Sequence, residues 1–259
     1  MDVSLLSGLH SSARKHFAEE NITSLQQIVA MPWEKLTRFK GIKTTAPAIH
    51  AHARAFVENR PIWFKRLPVE CYKSGFFFDI ETTPPDNAWS IGWSDEQGVY
   101  QAAIVVPTQA PAAVQVSAGH KVYFVRNSFA LWQTFCEAVS VSDAPIYHWT
   151  KYDPGIMSAA VPSLYQPLAN RFRDLHHIFK HAVKFPVQGN SIKAVAPHLG
   201  FRWSVTDDWS EAYLDYASFL NDRDPKRLER TSAYQRDDVI AMDIIWRWLV
   251  ANNPEQIDY

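Results

Sequence analysis

The stretch SGFFFDIETTP, Ser74 to Pro84, runs three phenylalanines into an aspartate, with a glutamate two residues later. If the run is a strand, alternate side chains share a face, so Asp79 and Glu81 point the same way. Carboxylates held side by side repel each other and resist joint ionisation, and a divalent cation resolves that conflict. Donors that are all oxygen select Mg2+ or Mn2+ over Zn2+. The plainer alternative puts both acids in an exposed turn leading into TTPPD. Two further groups weigh against it. Asp153, in IYHWTKYD, follows a short apolar run at a strand-to-helix junction. AYQRDD sets Tyr234 and Asp238 four apart, on one face of a helix that continues through the apolar Ala241, Ile245 and Trp248. Asp237, three residues from Tyr234, competes for the same place, and spacing does not separate the two. Acids and a tyrosine on a buried face need partners.

Several other groups invite a chemical reading. Lys193, in SIKAV, is a candidate contact for a phosphate or for one of the acids. Asp174 lies near a helix start and reads as a cap or a support for the ligands. His176, His177 and His181 have no cysteine nearby, which argues against zinc. The ten tryptophans suit core packing better than base stacking.

The elements that would position these groups fall into two patterns. Residues 1–58 carry apolar side chains at helical spacing. Within them, Gly41 stops one helix and Thr44 or Thr45 can cap the next, while Lys40 and Lys43 flank the turn. This part resembles a helix-hairpin-helix unit. A glycine lets the backbone approach a phosphate, and helix N-terminal amides attract its charge. The segment is thus either a nucleic-acid grip, through Lys40, Gly41, Lys43 and Thr44, or a plain helical spacer. From Ser74 the pattern becomes strands (GFFFDIE, WSIGWSD, VYQAAIVVP, APIYHW) and helices (FALWQTFCEAV, DPGIMSAAV, RFRDLHHIFKHAV, SIKAVAPHLGF and a long final ERTSAYQRDDVIAMDIIWRWLVA). That order predicts an α/β fold, a mixed sheet flanked by helices. The expected domains are a helical one at residues 1–66 and a larger one at 70–259.

Charge follows the same division. Residues 1–66 hold ten Lys and Arg against five Asp and Glu, and the remainder sixteen against twenty-two. A basic helical module joined to an acidic, metal-binding one is the expectation. Two cysteines without metal or redox spacing suit a reducing cytoplasm, the expected location. No run of about 18 apolar residues occurs, so neither a membrane span nor a membrane partner is expected.

FDIET, HWTKYD and YQRDD match in order the three motifs of the ribonuclease H-like exonucleases of the DEDD group. The tyrosine four before the last acid resembles their DEDDy branch. The chain also resembles the C-terminal part of a family of predicted RecB-like nucleases, in which a hairpin-type helical segment precedes a ribonuclease H-like domain. NSIKAVAPHLGFRW is similar to that family's SLK…LGF segment. Gln235 departs from the family's usual Asn, and Asp153 from a frequent Glu. The resemblance implies two divalent cations, Mg2+ or Mn2+, bridged by Asp79, with Glu81, Asp153 and Asp238 completing the cage. It implies that Tyr234 orients or helps deprotonate the attacking water. The implied activity is 3′–5′ exonucleolytic hydrolysis of DNA or RNA, at single-stranded 3′ ends. The RecB-type half of that family has no counterpart in this chain, which leaves open whether the chain acts alone or beside a separate nuclease or helicase partner. Two other functions stay open: a nucleic-acid-binding scaffold with a weak or inactive domain, and a partner-dependent endonuclease or trimming nuclease.

Overall fold

The computed structural model describes residues 1–259 apart from 111, 116–118, 207 and 258. The chain forms two compact units that do not follow chain order. One comprises Tyr72–Leu175 and Phe201–Arg247; the other comprises Met1–Cys71, His176–Gly200 and Trp248–Tyr259. Residues 176–200 and 248–259, expected with the larger domain, group with the N-terminal residues.

The first unit is built on a seven-stranded mixed sheet. Its strands in chain order are β1 Phe76–Thr83, β2 Asn87–Ser94, β3 Tyr100–Val105, β4 Ala112–Gln115, β5 Lys121–Val125, β6 Ile146–His148 and β7 Phe172–Asp174. Their order across the sheet is β4-β5-β3-β2-β1-β6-β7. β1, β2 and β3 form an antiparallel meander. β6 pairs parallel to β1, and β7 parallel to β6. The sheet thus carries β1 in its interior, with strand ends of the same sense beside it.

Alternation along β1 explains its composition. Phe76, Phe78 and Ile80 enter a core with Trp93, Trp132, Phe135 and Val139, the last three from the helix Ser128–Val139. Phe77 and Asp79 take the opposite face, where Phe77 meets Trp246 of the helix Pro225–Ala251 at 5.9 Å between ring centres. The phenylalanine run is therefore two walls, one on each side of the strand, and not a single body beside the acids.

Several elements differ from expectation, among them the strand Ala112–Gln115 and the pair Ile62–Trp63 and Val183–Lys184. Phe172–Asp174, expected to be helical, is a strand, because parallel pairing with β6 outweighs local propensity. Lys121–Val125 is a strand, and Trp209–Asp222 a helix capped by the Asp208 side chain, where neither was expected.

In the second unit the helices Ser11–Glu19, Leu25–Val29, Trp33–Leu36 and Ala46–Glu58 enclose a core that includes Phe17, Leu25, Ile28, Leu36 and Ile49. Gly41 adopts φ +90°, and a Cβ there would lie 2.9 Å from the Ser12 hydroxyl, so the turn takes glycine for two reasons. Thr45 occupies the N-cap of Ala46–Glu58 but makes no capping bond to the helix amides. Its hydroxyl turns back to the Ile42 carbonyl at 3.4 Å. Ile62–Trp63 pairs antiparallel with Val183–Lys184, and Trp63 stacks on Trp248 at 5.8 Å. These pairings join segments more than a hundred residues apart.

Candidate active site

β1 brings the first two acids together. Asp79 lies opposite Gly92 of β2, and Glu81 opposite Ser90, just before a bulge shifts the register of the ladder. The helix Pro225–Ala251 crosses the same face and is held there by Gln235. The Gln235 amide donates to the Asp79 carbonyl at 3.1 Å and accepts from the Ser90 hydroxyl at 2.6 Å. Gly92 makes this approach possible, because a Cβ at that position would lie 2.8 Å from the Gln235 Cγ. The residue that departs from the related family's pattern is thus a buried clamp between the final helix and two strands.

The clamp sets Asp238 beside β1. Carboxylate oxygens of Asp79, Glu81 and Asp238 lie within 4.8 Å of one another. Glu81 and Asp238 are buried. Such a donor set of hard oxygens fits a divalent cation, which offsets both the repulsion and the cost of burial.

The two neighbouring aspartates of the helix separate by their partners. Asp237 accepts from the Ser204 hydroxyl at 2.7 Å and from its backbone N–H, and pairs with Arg236 at 3.0 Å. Asp238 accepts from the Trp203 indole at 2.8 Å. One loop, Trp203–Ser204, therefore holds both acids, Asp237 away from the cluster and Asp238 within it. Residues 231–239 are buried on every side except at Arg236. That is why spacing on one helical face did not distinguish them.

Asp153 stands in the first turn of the helix Tyr152–Ala160, just past β6, and is 6% exposed. Burial raises its carboxyl above the ordinary range, and the nearby charges of Asp238 and Asp174 push the same way. Its oxygens are not part of the three-residue cluster. Asp174 ends β7, opposite His148 of β6, and acts on Asp153 through its charge.

Tyr234 is buried, and a hydrogen bond joins it to Asp238. Burial first, then the charges of Asp238, Glu81 and Asp79, hold its phenol far above the usual range. It is a proton donor in this setting.

The site has contributors that spacing did not single out. Trp203 was expected among the packing tryptophans, yet its N–H serves Asp238. Gln235 and Gly92 carry no chemistry of their own. An apolar strand broken by a glycine opposite the first acid was the available signal for Gly92. Lys193 is half-buried on the short helix Ile192–Val195, within the unit that does not hold the acids. Lys40 and Lys43 are exposed beside Gly41, and Thr44 is exposed two turn residues before the helix Ala46–Glu58.

A family model of the RNase H superfamily matches residues 76–250, which span all five candidate residues, Asp79, Glu81, Asp153, Tyr234 and Asp238. A comparison with curated proteins gave no match.

Proposed function

Since the chain belongs to the RNase H superfamily, we propose that it is a metal-dependent nuclease, acting as a 3′–5′ exonuclease on single-stranded ends of DNA or RNA. The observation that carries this reading is the meeting of Asp79, Glu81 and Asp238 within 4.8 Å on a buried sheet face. Two strands and a helix converge there, and a cluster of that cost has a chemical use when it holds cations.

Asp79, Glu81 and Asp238 would hold the ions, with Asp153 completing the set from the end of β6. Bound Mg2+ or Mn2+ supplies a more acidic water and neutralises charge on the leaving oxygen of a phosphodiester. The protein's own groups do the positioning. Gln235 keeps the helix and β1 in register, so that Asp238 stays beside Asp79. Trp203 fixes the Asp238 rotamer by donating to one of its oxygens, so that the carboxylate is aimed at the cluster. Tyr234, held protonated and donating its one proton to Asp238, would accept a hydrogen bond from the attacking water and so orient it. Lys40, Gly41, Lys43 and Thr44 offer backbone amides and charge that grip a strand without reading its bases.

The test is incubation of the purified chain with 5′-labelled single-stranded DNA and RNA in Mg2+, Mn2+ or EDTA. A shortening ladder that needs metal and vanishes in Asp79→Ala supports the reading. Binding without cleavage under every metal condition identifies a nucleic-acid-binding module instead.

A further inference from the structure

The unit formed by Met1–Cys71, His176–Gly200 and Trp248–Tyr259 contains a cavity of about 620 Å³. One wall is the start of the helix Ala46–Glu58, with Thr44, Thr45 and Ala48 facing in. Thr45 makes no side-chain bond to the amides of that helix, and Pro47 has no N–H, so the Ala48 amide and the helix dipole are what this end offers to the space.

The opposite wall is basic. It carries Lys65, Lys180 and Lys184, and no acidic side chain lines the cavity among the described residues. Lys184 is the informative one. It is 8% exposed, and its ammonium lines the cavity with an aromatic ring as its neighbour. Its ammonium lies 6.0 Å over the Phe64 ring, a weak partner for a charge this deeply buried. Burial and the nearby Lys180 bring its pKa down to about 8.

The backbone holds this lysine in place. Lys184 is paired with Ile62 in the two-stranded ladder, and the amides of Phe64 and Lys65 both donate to the Ala182 carbonyl, at 2.9 and 3.2 Å. Lys65 and Lys184, far apart in the chain, are thus set on one wall by main-chain bonds. A buried cation, two flanking cations and an open helix N-terminus converge on one volume. Each of them favours an anion, and phosphate oxygens suit both amide and ammonium donors.

We propose that this cavity holds a backbone phosphate of a bound nucleic-acid strand, with Lys184 as its central partner and Lys65 and Lys180 at its sides. The assignment rests on the reading of the chain as acting on nucleic acid. It adds a second grip, supplied by residues 176–190, to the Lys40–Lys43 turn. The volume has room for a phosphodiester with its sugar.

The test uses the full chain in EDTA, where strand binding is read without cleavage. Anisotropy of a 5′-fluorescent single strand is measured across a KCl series for wild type, Lys184→Met and the double variant Lys65→Ala/Lys180→Ala. Each variant is expected to weaken binding several-fold. The slope of log K against log salt should shrink by about 0.7 for each phosphate that is no longer neutralised. Lys184→Met keeps an unbranched side chain of similar length without the charge; should it fail to fold, the double variant decides alone. Wild-type affinity and slope in the folded variants overturn the proposal. So does thermal stabilisation by inorganic phosphate that Lys184→Met abolishes while strand binding is unchanged, since that marks a free-anion site. A chain that binds strands through Lys184 yet cleaves nothing in metal refutes the nuclease reading and leaves this one standing.

Discussion

Replacing Gly92 by alanine tests whether the helix and strand are held in register as described. The added Cβ would lie 2.5 Å from the Tyr100 hydroxyl and 2.8 Å from the Gln235 Cγ. Ordinary carbon separations are about 3.5–4.0 Å, so both neighbours must withdraw, each by about 1 Å. Neither has room to do so freely: Tyr100 is buried in the sheet face, and Gln235 is tied to Ser90 and to the Asp79 carbonyl. Overpacking of this kind costs about 1–3 kcal/mol. A buried hydrogen bond broken at Gln235 adds about 1 kcal/mol. The expected destabilisation is therefore about 2–4 kcal/mol. Gly155→Ala is the control, because a Cβ there meets nothing within 4 Å in the helix Tyr152–Ala160. It should gain about 0.5–1 kcal/mol from reduced freedom of the unfolded chain. Urea unfolding in EDTA measures both. If Gly92→Ala unfolds at the wild-type urea midpoint, or if the two substitutions shift stability in the same direction, the close packing of helix on strand is refuted.

Other consequences are checked separately. Asp238→Asn should abolish the stabilisation by Mg2+ expected of the wild type in thermal unfolding, whereas Asp237→Asn should keep it and lose about 1–3 kcal/mol as Arg236 and Ser204 are left without a charged partner. Retained metal response in Asp238→Asn would reverse their roles. Trp203→Phe removes the indole N–H from Asp238 and is expected to weaken metal affinity about 10-fold in a calorimetric titration, with the fold intact by circular dichroism. His52 bonds the Val187 carbonyl at 3.0 Å, and burial lowers its pKa from 6.5 to about 4. In the interval between those values the unfolded chain takes up a proton that the folded one refuses. Stability from this group is thus complete above pH 6.5 and is lost as pH falls toward 4. His52→Gln should flatten that part of the urea-midpoint profile, and parallel profiles would exclude His52 as the source.

How much of this was legible in the sequence depends on the range of the interaction that decides it. β1 and the long final helix declare themselves, since an aromatic run and an apolar stripe are local patterns. The meeting of Asp79, Glu81 and Asp238 followed from motif order. The division of labour between Asp237 and Asp238 did not, because it is set by Trp203 and Ser204, thirty-odd residues upstream in an irregular loop. The helix Trp209–Asp222 did leave a trace: Ala212, Tyr216 and Phe219 are buried at i, i+4 and i+7, but Tyr213 and Leu214 blur the stripe. Phe172–Asp174 left none, since three residues become a strand only when β6 lies beside them. The cavity around Lys184 was equally hidden, because its walls come from residues 44–65 and 180–190 and nothing local links them.

The three-segment composition of the helical unit bears on the order in which the chain can fold as it is synthesised. Its first core, from Leu6 to Ala53, can collapse while the ribosome is still making the sheet. Its closure cannot, since Ile62 waits for Lys184, and Trp63 for Trp248. The unit that is begun first is therefore finished last, with the whole of Tyr72–Leu175 emerging in between. Ile62 can lean on Ala51 and Ala55 of the preceding helix, but Trp63 lacks its Trp248 partner for that interval, a nascent-chain surface on which a chaperone could act.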